Sequence, residues 1–171
     1  MNDSPTSDAP AGRLLIVGAG EVSASLAAFA ATLGWNPKVV DSAAEAQAEA
    51  VGLRPCDSVA VLSHHDGVDG PALAAALASD AGYIGAMGSR RTQERRRIWL
   101  RDNGVAADAI TSIRGPAGLD IGADTPAEIA VSIAAEIIAV QRGTPAGAAL
   151  SARSGPIHAQ PDSGPAQCPA G

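Results

Sequence analysis

The chain has 171 residues, a formal net charge of −6, and 46% hydrophobic but only 2% aromatic residues. This length suits one α/β domain and is too short for two ordinary enzyme domains. The acidic balance argues against a nucleic-acid partner, which needs a broad basic surface. The first dozen residues are unlike a secretory signal, and no apolar run is long enough to span a membrane, so we expect a cytoplasmic protein.

Composition divides the chain into three parts. Residues 1–12 are rich in Pro, Ser and Asp, and residues 143–171 are dominated by Ala, Gly, Pro and Ser, with only Arg153 and Asp162 charged. Such segments bury too little apolar surface to offset the entropy lost on ordering. We therefore predict disordered N- and C-terminal tails around one ligand-binding domain, residues 13–142.

Short apolar runs within that domain predict a parallel sheet. They are too uniformly apolar for an antiparallel sheet with one exposed face, and helical patterns separate them. The predicted fold class is α/β, a three-layer doubly wound parallel sheet of the Rossmann-like type, with its fourth strand beside its first. The four clear runs and a weaker fifth occupy residues 14–17, 38–40, 58–62, 83–87 and 110–113.

Two predicted helices carry start signals. Ser42 followed by Glu45 fits a capping box, and Thr125, Pro126 and Glu128 supply a cap, a first-turn proline and a second capping box. The apolar positions of the last helix recur on one face until a glycine ends it. Those positions and the glycine are Ile129, Ile133, Ile137, Val140 and Gly143.

The first strand runs into a glycine loop. Gly18 and Gly20 precede a helix that begins near Glu21, and Ser23 stands where a third glycine is usual. Glycines here allow a tight turn and close approach of a ligand phosphate to the helix N-terminus, while Asp41, after the second strand, could accept hydrogen bonds from ribose hydroxyls. The alternative is that the glycines only fit a tight turn.

A second cluster follows the fourth strand in the sequence GAMGSRR. Gly88 and Ser89 precede Arg90 and Arg91, which would lie in the first turn of a helix capped by Ser89. Positive charge there is unfavourable by about 0.3–1 kcal/mol per residue, so an anionic ligand such as a phosphate should offset it. The alternative is that local carboxylates such as Glu94 neutralise the pair or that solvent does. For the outer arginines, Arg95–Arg97, we instead expect neutralisation by nearby carboxylates or by solvent.

Two further loops should reach the same edge. The SHHDG segment offers His64 as a hydrogen-bonding or acid/base group. Adjacent histidines point in different directions, and Cys56 and Cys168 lack zinc-site spacing, so no metal site is predicted. The segment GPAGLDIGADTP could place Asp120 and Asp124 against the donors of a heterocycle, or it could be only a turn that ends in a cap.

Three segments, LLIVGAGEVS, YIGAMGSRR and GPAGLDIGADTPAEIAVSIAAEIIA, resemble in order and spacing the Rossmann-type C-terminal domain of the XdhC/CoxI family. Its members are maturation factors for xanthine dehydrogenase and carbon monoxide dehydrogenase. The resemblance implies a cytoplasmic chaperone that binds the molybdenum cofactor, as molybdopterin or its dinucleotide. It implies two partners, a cysteine desulfurase that sulfurates the cofactor and the apo-subunit of a molybdenum hydroxylase, and leaves a homodimer open.

The resemblance also implies which residues bind the cofactor. The glycine loop with Arg90 and Arg91 would take its anionic end, and the loop of Asp120 and Asp124 the edge of the pterin. The chain departs from the family in two features. Longer members carry a separate N-terminal domain with a cysteine-containing motif, whereas this chain enters its first strand at residue 14 and Cys56 matches no family motif. The loop after the third strand has His64 but lacks the second histidine of the family's usual Thr-His-Asp-His.

Three functions therefore compete. The first is a cofactor chaperone without turnover of its own. The second is an NAD(P)-dependent oxidoreductase, which Gly18, Gly20 and Asp41 favour, although no Lys, Tyr or Ser proton-relay set is evident. The third is a nucleotide-sensing module.

Overall fold

The computed structural model describes residues 12–144 and 149. Most of both predicted disordered tails lies outside these residues. The described part folds as alternating strands and helices, and the loop lengths are those of compact α/β units. In chain order the elements are β1 (Arg13–Val17), α1 (Glu21–Thr32), β2 (Asn36–Val40), α2 (Ala43–Ala50), β3 (Ser58–Val61), α3 (Asp66–Leu77), β4 (Tyr83–Ala86), α4 (Arg90–Asp102), α5 (Ala107–Thr111) and α6 (Pro126–Gln141).

All strand pairs are parallel, and the sheet order is β2-β1-β3-β4. The four clear strand predictions are confirmed, but the expected order is wrong. β3, not β4, pairs with β1, with Leu14 beside Ser58 and Val17 beside Val61. The chain thus crosses to the other side of β1 after the second strand. The local sequence of apolar strands of similar length does not indicate which strand each one pairs with, so the strand order depends on tertiary packing.

The helices cover both faces of the sheet, which confirms the three-layer prediction. On one face, Leu14 and Ile16 of β1 pack in a cluster with Leu26 of α1 and Ile133 of α6. On the other face, the alternate β1 residues join a cluster with α2, α3, α4 and α5. Because successive strand side chains point to opposite faces, one strand serves both cores.

The weak fifth strand prediction, residues 110–113, is wrong. Its first two residues belong to α5, and Ile110 is a buried residue of the helical layer. One strand-like contact lies just beyond it, where Arg114 bridges Gly85 and exchanges backbone hydrogen bonds with Ile84 and Ala86, both 2.9 Å long. A run of β-branched residues suggested a strand, but the buried side of a short helix accommodates them equally well.

The predicted helix starts are confirmed. Ser42 caps α2 by accepting a hydrogen bond from the Glu45 N–H, and Thr125 caps α6 in a full capping box. In that box the Glu128 carboxylate accepts from the N–H groups of Thr125 and Asp124 at 2.8 and 3.0 Å. These bonds lower the pKa of Glu128, first through Thr125 and then through Asp124. Gly143 follows the end of α6 with φ +61°, as predicted.

This cap gives a pH dependence. Because the pKa of Glu128 is lower in the folded chain than its ordinary value of 4.5, the charged form stabilises the fold above pH 4.5. That stabilisation is lost as the pH falls through the folded-state pKa. We expect Glu128→Gln to unfold at lower urea concentration than the wild type at pH 7, and the two midpoints to converge in acid.

The matched control is Glu49→Gln, which removes a charge that lies 3.7 Å from Lys38 on the surface and makes no capping hydrogen bond. It should change the midpoint less at pH 7. A Glu128→Gln deficit that persisted unchanged at pH values well below the folded-state pKa of Glu128 would contradict the assignment, because a charge-dependent cap cannot act when the carboxyl group is protonated.

Candidate functional site

Loops from every strand meet at the carboxyl edge of the sheet, because the strands are parallel. The segment of residues 115–125 joins them, since the Ala117 N–H donates to the carbonyl of Ala86 at the end of β4, 3.0 Å away. α6 then runs back toward the opposite edge, where the Gln141 amide donates to Ser58 Oγ at 3.2 Å. The N-terminus of α6 therefore lies at the same edge as the strand loops.

The glycine loop is fixed tightly at its base. Gly18 has φ +108°, and a Cβ built on it would lie 2.5 Å from the backbone nitrogen of Ser63. Ser23 is 3% exposed, and its hydroxyl donates to the Gly18 carbonyl at 2.5 Å. The serine that replaces the usual third glycine thus gives the loop a hydrogen bond that glycine could not supply.

The outer part of the glycine loop is open. A Cβ at Gly20 would contact nothing within 4 Å among the described residues. Within the described residues no side chain caps the N-terminus of α1, which begins at Glu21, so its first N–H groups lie at the positive end of the helix dipole without a capping acceptor there. The Ala19 N–H is already engaged, donating to Asp41 Oδ1 at 3.0 Å.

The loop after β3 is the direct neighbour of the glycine loop. Ser63 is buried at 4% exposure, its N–H donates to the Val17 carbonyl at 2.9 Å, and its Oγ accepts from the His65 N–H at 3.0 Å. His64 and His65 are exposed. Neither imidazole makes a hydrogen bond to the part of the chain described, and no cluster there could hold a metal ion.

The turn after β4 begins α4 as predicted. Ser89 accepts from the Thr92 N–H at 3.2 Å, and Arg90 and Arg91 lie exposed in the first helical turn. Across residues 12–144 neither of these two arginines has a hydrogen-bonding or acidic partner. Two uncompensated cations at the positive end of a helix dipole make this turn a strong attractor of anions.

The outer arginines are neutralised by carboxylates, as expected. Arg95 pairs with Asp66 at 2.8 Å and Arg97 with Glu94 at 3.6 Å, in exposed ion pairs. Arg96 pairs with the Asp69 carboxylate at 2.6 Å, but this pair is buried, because Arg96 is only 4% exposed. Side chains on the inner face of a helix point toward the sheet whatever their polarity. Arg96 lies on that face of α4, together with the buried residues Gln93 and Leu100.

Arg96 connects three neighbouring elements. Its Nε and Nη2 donate to Asp69 Oδ2 of α3 at 2.9 and 2.6 Å. Nη2 also donates to the Ser63 carbonyl at 3.2 Å, and Nη1 to the Met87 carbonyl at 2.5 Å. Those carbonyls lie just beyond β3 and β4, so one guanidinium bridges both loops.

On the opposite face of the sheet, Glu136 of α6 holds the remaining loop. Its Oε2 accepts from the Gly118 N–H at 2.8 Å and from the Tyr83 hydroxyl at 2.7 Å. Burial, reinforced by the adjacent Glu136 charge, raises the pKa of Tyr83 far above its usual range, so the hydroxyl stays a donor. This anchor leaves Asp120 and Asp124 exposed on the loop that leads into α6.

The structure places all the predicted site residues at one edge, but not in the predicted arrangement. The loop after β3 lies between the glycine loop and the turn after β4, which are separated by two strand spacings, roughly 10 Å. A ligand that contacts both must extend over Ser63 and His64. The crevice between β1 and β3, where the chain reverses direction along the sheet, is the usual ligand position in such folds.

Sequence reasoning missed the residues that support these loops. Asp69 lies within a helix without any motif, Arg96 lies within a run of exposed arginines, and Glu136 lies in an apolar helix. Only the last had a signal: a single carboxylate on the buried side of an otherwise apolar helix needs a partner.

Comparison with known proteins now identifies the family. The XdhC Rossmann domain matches residues 14–137 of the chain. The chain belongs to the XdhC family. A relative from Escherichia coli (strain K12), the uncharacterized protein YqeB, is 32% identical over 155 residues, which cover 79% of this chain and 28% of YqeB.

Two further similarities carry functional descriptions. The molybdenum cofactor insertion chaperone PaoD, also of Escherichia coli (strain K12), is 31% identical over 136 residues, covering 77% of this chain and 41% of PaoD. A crystal structure described as a xanthine dehydrogenase (BH1974) from Bacillus halodurans superposes with a TM-score of 0.63 at 26% identity, covering 84% of this chain and 46% of that one. The chain therefore spans less than half the length of each of these proteins.

None of the helices in the described part of this chain combines the length and the apolar character of a membrane-spanning segment.

The base of the glycine loop gives a direct test. Gly18→Ala should destabilise the fold, by about 1–3 kcal/mol for the backbone conformation alone, because the methyl group would also meet the Ser63 backbone. The matched control is Gly67→Ala in α3, where a Cβ has open space, and it should leave stability unchanged or raise it by up to about 1 kcal/mol. Urea unfolding measures both, and equal stability of the two variants would refute the close packing of Gly18 on Ser63.

Proposed function

We propose that the chain binds the molybdenum cofactor and holds it during maturation of a molybdenum hydroxylase of the xanthine dehydrogenase or carbon monoxide dehydrogenase type. The observation that carries the proposal is the pair Arg90 and Arg91, exposed at the start of α4 without acidic partners in the described chain. In a chain of net charge −6, an uncompensated pair at a helix N-terminus favours an anionic ligand.

The residues at this edge fit the two ends of the cofactor. Molybdopterin carries a phosphate, or a dinucleotide pyrophosphate, which the guanidinium groups of Arg90 and Arg91 would bind. The N–H groups at the start of α1 offer a second position for negative charge. The exposed carboxylates of Asp120 and Asp124 match the N–H donors of a pterin. His64 lies on the loop between the glycine loop and the turn that holds Arg90 and Arg91.

The relatives supply the rest of the support. PaoD is named a molybdenum cofactor insertion chaperone, and the Bacillus halodurans structure is described as a xanthine dehydrogenase. We infer from the family resemblance that a cysteine desulfurase acts on the cofactor while it is held and that an apo-hydroxylase receives it. When bound, the cofactor supplies the redox and sulfur chemistry, and this chain's loops bind, orient and shield it.

A holding role, rather than turnover, agrees with the side chains at the edge. His64 is exposed and lacks a hydrogen-bond partner to orient it, and the described residues around it pair no nucleophile with a base. We therefore propose that the chain is a carrier of the cofactor and not an NAD(P)-dependent oxidoreductase.

The test is binding of molybdenum cofactor released from a purified hydroxylase, measured by pterin fluorescence after oxidation of the bound fraction. Arg90→Ala combined with Arg91→Ala should weaken binding about 100-fold, since each charge-assisted hydrogen bond contributes roughly 1.5 kcal/mol or more. The double variant should be as stable as the wild type or more so, because it removes unfavourable charge from a helix start.

The matched control replaces Arg97 and Arg101 with Ala, two exposed arginines of the same helix that pair with Glu94. It should bind the cofactor like the wild type. NAD⁺ and NADP⁺ are tested in parallel by their effect on the melting temperature. Stabilisation by a dinucleotide but not by the cofactor would reverse the proposal in favour of an oxidoreductase, and equal cofactor binding by both double variants would remove Arg90 and Arg91 from the site.

A further inference from the structure

We propose that Arg96, held by Asp69, is a positioning residue that sets the spacing of the ligand-binding loops. The proposal rests on the proposed function only for its binding readout. Arg96 is 4% exposed and Asp69 is 1% exposed, and the hydrogen bonds of the Arg96 guanidinium go to Asp69, Gln93 and the carbonyls of Ser63 and Met87. Its effect on the ligand must therefore pass through the loops that it contacts.

The guanidinium group of Arg96 donates hydrogen bonds both to the Asp69 carboxylate and to the backbone of two loops. Asp69 Oδ2 accepts from Nε and Nη2, which fixes the plane of the group against α3. The same group then donates to the carbonyls of Ser63 and Met87. Ser63 in turn donates to the Val17 carbonyl at the base of the glycine loop, so the arrangement reaches three consecutive loops of the edge.

The bond to Met87 also orients the arginines proposed to bind the ligand. Met87 precedes the turn and Arg96 lies in the second turn of α4, so their hydrogen bond closes the segment that holds Ser89, Arg90 and Arg91. Gln93 adds to this closure by donating to the carbonyls of Ala86 and Gly88 at 2.8 and 3.2 Å. A rotation of the helix start would have to break these contacts together.

Stability alone is a weak explanation for the buried pair. Asp69 Oδ1 is buried and accepts no hydrogen bond from the described residues. A buried carboxylate oxygen without a donor is unfavourable, and a buried ion pair is often no more stabilising than an apolar pair of similar volume. The directional bonds to two loop carbonyls are the property that an apolar pair could not reproduce.

The experiment compares Arg96→Lys with the matched control Arg97→Lys, a substitution of the exposed neighbour on the same helix. Lysine keeps the charge opposite Asp69 but cannot donate in a fixed plane to both carbonyls. We expect Arg96→Lys to remain folded, to bind released molybdenum cofactor at least about tenfold more weakly, and to exchange amide protons faster in residues 63–66 and 87–91. Arg97→Lys should match the wild type in both measurements.

A second variant separates positioning from folding. Asp69→Leu combined with Arg96→Met replaces the ion pair with an apolar pair, and it should keep the melting temperature close to that of the wild type while showing the same faster exchange at the two loops. Amide exchange that rises uniformly across the chain, or failure of both variants to fold, would overturn the proposal by making Arg96 a general stability residue.

The two readouts also distinguish this proposal from the proposed function. If wild-type protein does not bind the cofactor, the proposed function fails, and amide exchange alone decides the role of Arg96. If the wild type binds and Arg96→Lys binds equally well with unchanged exchange at the loops, the positioning role is refuted while the proposed function stands.

Discussion

The arrangement of this edge depends on one buried guanidinium. Parallel strands bring their following loops to the same side of a sheet, but they do not fix how those loops lie relative to one another. Arg96 supplies that relation on one face by donating to the residues that follow β3 and β4 while Asp69 fixes its plane. Without this guanidinium, the loops after β3 and β4 would still be joined to neighbouring strands by backbone hydrogen bonds, such as that from the Met87 N–H to the Val61 carbonyl at 2.9 Å, but no side chain of the described residues would link one loop to the other in this way.

Glu136 provides a comparable constraint on the opposite face. It joins α6 to β4 through the Tyr83 hydroxyl and to the loop of Asp120 through the Gly118 N–H. In both cases a buried charged side chain belongs to a helix and bonds to the backbone of a loop. Backbone anchoring leaves the exposed side chains of the loops free to differ, which suits a fold that presents a ligand surface on a fixed support.

The sequence predicted the local features and the fold class, and it missed the strand order and the buried contacts between elements. Caps at Ser89 and Thr125 and the tight turn at Gly18 depend on a few neighbouring residues, so their patterns are readable directly. Strand order and the inward turn of Arg96 depend on which distant surfaces pack together, and residues 110–113 show that β-branched residues alone do not decide between strand and helix. The predicted site residues do share one edge of the sheet. The prediction that the turn after β4 lies directly beside the glycine loop is wrong, because β3 lies between β1 and β4.

That corrected order changes the shape of ligand the edge favours. With β3 between them, the start of α1, where Glu21 lies beside the helix N–H groups, and the start of α4, with Arg90 and Arg91, are two separate regions joined by the loop that carries His64. A compact anion such as free phosphate could occupy only one region at a time. An extended molecule with charge at one end and a flat polar ring at the other could use Arg90 and Arg91 together with the loops around them, and such a molecule gains affinity from the fixed spacing because the loops need no ordering when it binds.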